Sequence, residues 1–352
     1  MRREQQFGMP RDEAIRFLAD SPVIHLATTD GDGQPVLRTV NAVVVDELVA
    51  FHGSPIGEKV SALGRPAVIA AEETVASIPS YFTDPERACP ATTFYRSIQV
   101  HGRLDEIGDP DTKARVMAAL MQKYQPEGQH QPITAEDPLY KKALAGILVV
   151  GVSLRTIDGK AKLGQHRSAV QVSRLVEQLW QRGAPTDPRA IELVRRANPA
   201  APTPAFLACP DGATLVCSLD RGRAAEAVAL LRDAYWQVGV PDETIRQAQL
   251  GASAWVGAVD GDGRLVATAR AISDGAKWAG VFDVVVAPRW RGRGLGQAVV
   301  RLLLDHPRVR AVRRVWLGTR DAQTLYARFG FVPGPMIPPR TFATTEMVLL
   351  RA

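Results

Sequence analysis

The sequence is short of several things. It has three cysteines, Cys89, Cys209 and Cys217, an odd number with no CxxC pair. Neither a disulfide framework nor a zinc knuckle is suggested by them. Its six histidines are scattered, none at metal-ligand spacing, so no metal site is expected. No uninterrupted apolar run is long enough to span a bilayer, which argues against a membrane partner. The opening stretch, MRREQQFGMPRDEAIRFL, holds basic residues without the apolar centre of a signal peptide, so a cytoplasmic protein is expected. A dominant charge sign is missing too. There are 43 basic and 37 acidic residues, a net charge of +6. So mild an excess is compatible with an anionic ligand or nucleic acid, and equally with solubility alone.

What is present is enough chain for two cores. A length of 352 residues, with 46% hydrophobic and 23% charged, is ordinary for a globular protein of roughly two domains. The texture changes along the chain. From Pro22 to about Ser168, short apolar runs alternate with turns: VIHLATT closing on DGDG, then QPVLRTVNAVVVD, ELVAFHGS, PAVIAAEE, FYRSIQVHGRLDEI and GILVVGVSL. Helical patterns intervene at IGEKVSALG and DTKARVMAALMQKY. Successive strands without regular βαβ alternation predict an antiparallel barrel with helices. A helical piece, SAVQVSRLVEQLWQRG, leads into a Pro- and Ala-rich connector with one short helix. The expected division is a first domain over 1–180, a linker over 181–212 and a second domain over 213–352.

The second domain reads as α+β: a strand at TLVCSLD, helices at AAEAVALLRDAYW and ETIRQAQLG, and a hairpin across a second DGDG. A buried strand, AGVFDVVVAP, then feeds straight into RWRGRGLGQAVV (289–300) and the helix LGQAVVRLLLDH. RRVWLGT, DAQTLYARFG and TFATTEMVLL predict strand, helix and a last strand. Glycines at 292, 294 and 296 allow a tight turn and close approach of a ligand to the backbone. The free N–H groups of a helix start favour an anion there, and Arg291 and Arg293 add charge-assisted donors. The spacing G-x-G-x-G is neither the dinucleotide fingerprint nor a Walker loop.

This turn resembles the acetyl-CoA pyrophosphate loop of the GNAT acetyltransferases, R/Q-x-x-G-x-G/A, with Arg291, Gly294 and Gly296 at the matching positions. The resemblance spans about 140 residues and includes LYARFGF. It implies acetyl-CoA binding by Arg291, Gly292, Arg293, Gly294, Leu295 and Gly296, with the pantetheine arm along Val284, Val285 and Val286. It also implies transfer of acetyl to a primary amine, a small-molecule acceptor. Tyr326 matches the family's general acid. For the base, Asp283 and Asp274 both stand as candidates. One loop cannot hold the cosubstrate alone, since micromolar binding needs about 8 kcal/mol and a charge-assisted hydrogen bond gives roughly 1.5–3 kcal/mol net.

In the first domain, polar-basic clusters fall at strand ends: RTVN (38–41), HGSPIGEK (52–59), YRS (95–97) and KAKLGQHRS (160–168). The last is similar to the K-x-K-L-S-Q-N-R element of FMN-binding split barrels, relatives of the pyridoxamine-phosphate oxidases, with Gly164 for Ser and His166 for Asn. That resemblance implies a homodimer formed through the split barrel. FMN would be held by Arg38, Thr39, Val40, Asn41, His52, Ser54 and Lys59, and by Arg96, Ser97, Lys162 and Gln165 of the second subunit. Rival readings are a flavin-sensing transcriptional regulator and an FMN-dependent reductase of a small molecule. The arginine-rich stretch 289–320 lacks a helix-turn-helix pattern, which argues against nucleic acid.

Overall fold

The computed structural model describes residues 4–210 and 212–333. The chain divides into two compact units, one of residues 1–176 and 193–202, the other of residues 177–192 and 203–352. The helical piece expected ahead of the linker is α6 (Ala169–Arg182), and α7 (Asp187–Ala197) lies within the expected linker 181–212. The last expected strand, at 341–350, lies outside the described residues.

The first unit opens with α1 (Glu4–Phe7) and α2 (Arg11–Asp20), then builds nine strands: β1 (Ile24–Thr29), β2 (Pro35–Val40), β3 (Val43–Val45), β4 (Leu48–Gly53), β5 (Pro66–Ile78), β6 (Thr92–Arg103), β7 (Asp105–Glu106), β8 (Leu148–Ser153) and β9 (Thr156–Lys162). Helix α3 (Glu58–Ser61) follows β4, and α4 (Pro110–Tyr124) and α5 (Pro138–Gly146) precede β8. The strands form two sheets, ordered β2-β1-β5-β6-β9 and β3-β4-β8-β7, with every pairing antiparallel. Strand β1 alternates buried and half-buried positions, the period-2 pattern of a sheet with one face on a core. That core joins the inner faces of both sheets, with Leu26, Ile69, Ile98 and Val100 meeting Phe51, Val150 and Val152, and α2 adding Phe17 and Leu18. The outer face of the smaller sheet packs Val43, Ala50 and Val149 on Val116 and Leu120 of α4. QPVLRTVNAVVVD, a single run in the sequence, breaks at Asn41 and Ala42 so that β2 and β3 serve different sheets. This change of sheet is the split in the barrel.

The second unit carries β10 (Ala213–Val216), α8 (Arg221–Leu231), α9 (Asp242–Leu250), β11 (Ala254–Asp260), β12 (Leu265–Ser273), β13 (Trp278–Val286), α10 (Leu295–Leu304), β14 (Arg314–Trp316) and α11 (Gln323–Ala327). Its sheet runs β10-β11-β12-β13-β14 in chain order, antiparallel except for the parallel pair β13·β14. The DGDG turns act alike in the two units. Asp30 and Asp260 each accept two backbone N–H groups through Oδ1, and Gly33 and Gly263 take φ values of 77° and 80°. Helix α10 follows its strand directly and buries Leu295, Ala298, Val299, Leu302 and Leu303, a stripe at helical spacing. Its packing fixes where the turn before it points.

Candidate functional site

Residues 289–296 form the turn between β13 and α10. Gly294 caps the helix in the left-handed region (φ 82°), and Gly292 also has positive φ (74°). No side chain caps the helix start, and its first turn holds no acidic residue. The first-turn N–H groups and the positive end of the dipole are therefore presented without a competing anion. Arg291, Gly292, Arg293 and Gly294 are exposed and Gly296 half-buried, while Leu295 turns into the core. Arg291 donates through Nε to the Val286 carbonyl (3.1 Å), and Arg293 lies over the Trp290 ring (5.2 Å). Beside the turn is a cleft of about 320 Å³ lined by Asp260, Gly261, Asp262, Arg289, Trp290 and Arg293.

The strand entering this turn has two irregularities. Its ladder with β12 shifts register between Thr268↔Val285 and Arg270↔Phe282, so two residues of β13, Asp283 and Val284, oppose one of β12. This is a β-bulge, and Asp283 accommodates it with φ 54°. On the other edge, β13 pairs with β14 only from Trp278 to Gly280. From Val281 to Val286 it has no ladder partner on that side among the described residues, and Val284, Val285 and Val286 are half-buried. The two parallel strands part there and leave main-chain groups available to an extended ligand. A Cβ built on Gly296 would lie 3.5 Å from Val286 Cγ2 and 3.9 Å from Leu325 Cδ2. Strand end, helix start and α11 therefore meet at Gly296.

Tyr326, next to Leu325 on α11, is 8% exposed, with its ring edge-on to Phe331 at 5.9 Å. Burial chiefly, then the neighbouring Tyr235 and Asp321, raise its phenol above the ordinary value. It stays protonated through neutral pH, the state a proton donor requires.

The two carboxylates expected as bases are otherwise engaged, a correction to the sequence reading. Asp283 accepts at Oδ1 from Trp236 Nε1 and Gln237 Nε2, both at 3.0 Å. At Oδ2 it accepts from Gln249 Nε2 (2.9 Å) and Arg270 Nε (2.5 Å). Four donors and a buried ion pair leave the carboxylate no lone pair for an incoming ammonium. Asp274 accepts the backbone N–H groups of Ala276, Lys277 and Trp278, and those bonds lower its pKa. It closes an exposed turn. Trp236, Gln237, Gln249 and Arg270 were not singled out from the sequence. The available signal was a lone Asp in VFDVVV beside a lone Arg in LVATARAIS, opposite charges in adjacent, otherwise apolar strands.

In the first unit, His52, Ser54 and Lys59 cluster where β4 ends and α3 begins. A Cβ on Gly53 would meet Lys59 Nζ at 3.1 Å. Partial burial, then the Lys59 charge, lower the His52 pKa. Arg38, Thr39, Val40 and Asn41 end the edge strand β2, with Thr39 Oγ1 3.3 Å from His25 Nδ1. Lys162 ends β9, the other edge of the same sheet, and hydrogen-bonds Thr92 Oγ1, while Ser97 lies on the neighbouring interior strand β6. Two members of the expected set are spent internally. Arg96 is 9% exposed, puts Nε and Nη2 on Glu73 Oε2 (3.0 and 2.6 Å) and stacks on Phe17 at 4.5 Å. Gln165 folds back on its own turn, accepting from Leu163 N–H and donating to Ala161 O, each at 2.7 Å. Arg167, in the same KAKLGQHRS element, differs. Its buried Nε has no hydrogen-bond partner among the described residues, and burial lowers its pKa. An unsatisfied buried donor of this kind fits an anionic or carbonyl-bearing ligand.

A family model described as pyridoxamine 5'-phosphate oxidase matches residues 10–161, and one described as the acetyltransferase (GNAT) family matches residues 225–331. The chain is 34% identical over 77 residues to the uncharacterized N-acetyltransferase ycf52 of Pyropia yezoensis, covering 22% of this chain and 44% of that protein. It spans less than half the length of the curated relatives it matches. Among solved structures, it is similar to a protein of Xanthomonas campestris assigned to the GNAT family (33% identity, 39% of this chain, 96% of that one, TM-score 0.32). It is also similar to the flavocytochrome Anf3 of Azotobacter vinelandii (17% identity, 46% of this chain, 72% of that one, TM-score 0.38). No helix among the described residues is long and apolar enough to cross a membrane.

Proposed function

For a chain that joins a domain of the pyridoxamine 5'-phosphate oxidase family to one of the GNAT acetyltransferase family, we propose transfer of acetyl from acetyl-CoA to a primary amine. The observation that carries this reading is the convergence at Gly296. There a helix start without a side-chain cap, a strand edge released from its neighbour and the helix of a protonated tyrosine come together. In this reading the N–H groups of residues 292–296, with Arg291 and Arg293, hold the pyrophosphate, and the freed edge of Val284–Val286 aligns the pantetheine arm.

The reaction balances without a covalent enzyme intermediate. The neutral amine attacks the thioester carbonyl, a C–N bond forms, the C–S bond breaks, the thiolate takes the Tyr326 proton, and the nitrogen of the adduct gives up its second proton to water. The ammonium proton lost before attack leaves through water, because Asp283 and Asp274 are engaged. A free alkylamine with a pKa of about 10.4 is only about one part in a thousand neutral at pH 7, so activity should rise with pH until the amine is largely neutral. The net products are an amide and CoA thiol, and Tyr326 is reprotonated from solvent.

The first unit is proposed to bind FMN. Arg38, His52, Ser54 and Lys59 would meet the phosphate end, with Thr39, Val40 and Asn41 along the ring. Lys162 and Arg167, with Ser97 nearby, would be contributed by a second copy, which their place on the far edge of the sheet supports. Bound flavin would supply electron transfer. Arg96 and Gln165 take no part in this version, since their polar atoms are already used. Release of CoA thiol from acetyl-CoA on addition of amines tests the transferase reading. A protein that binds acetyl-CoA yet acetylates no amine would refute it.

A further inference from the structure

The Asp283 carboxylate joins two aromatic pairs that flank the place where β13 and β14 part. On one side it accepts from Trp236, whose ring is edge-on to Tyr235 at 4.8 Å. On the other, the next residue back, Phe282, is edge-on to Trp316 of β14 at 5.3 Å. The bulge turns both Phe282 and Asp283 toward one guanidinium. Arg270 lies 5.0 Å from the Phe282 ring centre and 2.5 Å from Asp283 Oδ2. Tyr235 also borders Tyr326, whose phenol it helps to raise. The two ring pairs, Tyr235 with Trp236 and Phe282 with Trp316, are thus joined through Asp283.

Three of these rings show a large share of their surface: Tyr235 41%, Trp236 40% and Trp316 50%. Exposed aromatic faces beside a reaction centre are contact surface for an apolar body. The charges around them pair off. Asp283 is neutralised by Arg270, Arg270 covers Phe282, and Arg320 lies over Tyr235 at 3.9 Å. The exposed Asp321 is 3.7 Å from Arg320. These pairs leave no surplus carboxylate among these groups to attract a second ammonium, and no surplus guanidinium to attract a carboxylate.

We infer that this aromatic wall seats the acceptor, and that the acceptor is a monoamine borne on an aromatic or other flat apolar body rather than a polyamine or an acidic amino acid. Asp283 acts as a positioning residue that holds Trp236, Arg270 and the bulge in one arrangement. The inference rests on the acetyltransferase reading and narrows it to a substrate class.

The test uses the full-length protein, first titrated with acetyl-CoA by calorimetry, then assayed for CoA release with 2-phenylethylamine, n-butylamine, spermidine and aspartate. We expect kcat/KM for 2-phenylethylamine to exceed that for spermidine and aspartate by roughly tenfold or more. Trp316→Leu should raise the KM for 2-phenylethylamine roughly tenfold while kcat and the n-butylamine parameters move less than about threefold, the pattern of lost ground-state contact. Should that variant fail to fold, the native protein decides. Saturable quenching of its tryptophan fluorescence by 2-phenylethylamine is expected, and its absence would overturn the inference. Spermidine or aspartate as the better acceptor would overturn it too and leave the transferase standing. No heat with acetyl-CoA would remove both.

Discussion

Arg270 Nε donates to Asp283 Oδ2 at 2.5 Å, between strands whose ladder slips at that point, and both side chains are nearly buried (12% and 4% exposed). The pair holds the β13 bulge shut on the β12 side while the β14 side stays open. Asp283→Asn keeps the shape and removes the countercharge. Breaking a buried pair from one side costs about 3–5 kcal/mol, so a loss of that order is expected in urea unfolding. The pH dependence of kcat/KM in whatever folds should keep its form, because Asp283 does not carry the proton. Full stability with the acidic limb of the profile abolished would restore Asp283 as the base.

Tyr326→Phe retains the ring against Phe331 and deletes the proton. The expected result is a fall in kcat of roughly 10²–10⁴-fold with acetyl-CoA affinity nearly unchanged. Since burial raises the phenol pKa, wild-type kcat should show no loss between pH 8 and 9.5. Steady-state kinetics across that range measure both.

His306 gives a stability prediction with a definite sign. It is 4% exposed, and burial first, then Arg310 and Arg308, lower its pKa to about 4. Its Nδ1 accepts from the Arg308 backbone N–H at 3.1 Å, which requires a neutral ring there. Between the folded value and the ordinary one near 6.5, the unfolded chain binds more protons than the folded one. Stability from this group is therefore complete above about pH 6.5 and is lost as pH falls toward 4, by about 3 kcal/mol in all. Denaturant midpoints at pH 7 and pH 4.5 should differ in the wild type and converge in His306→Gln. Equal wild-type midpoints would contradict the assignment.

Lys59→Ala should weaken flavin retention by about 1.5–3 kcal/mol, the worth of one charge-assisted contact. Arg96→Ala, by contrast, should act on stability through Glu73 and Phe17 and not through direct flavin contact. Flavin titration of both variants separates the roles.

Much of this was legible in the sequence because local rules and tertiary structure agree. The DGDG turns mark hairpins in both units, since an Asp side chain and a left-handed glycine suffice to make the turn. The glycine turn before α10 was visible because few residue types tolerate its geometry. What escaped were relationships set only by packing. Asp283 read as a free carboxylate because its four donors come from three separate segments. Arg96 and Gln165 read as ligand contacts because nothing local reveals Glu73 across the ladder or the fold-back onto Ala161. Arg167 gained interest only once its Nε proved to be buried without a partner.

The account stands most directly on where the pyrophosphate sits. Gly294 takes φ 82°, and the nearest heavy atom to an added Cβ is Pro210 Cγ at 3.6 Å, so the turn has room but the backbone disfavours a side chain. Gly294→Glu would add roughly 1–2 kcal/mol of backbone strain and a negative charge facing the anion. Calorimetry of acetyl-CoA with wild type and this variant is the decisive measurement. The prediction is clear binding in the wild type and at least about a hundredfold weaker binding in Gly294→Glu, with flavin binding unaltered. Equal acetyl-CoA affinity in the two proteins would contradict the account.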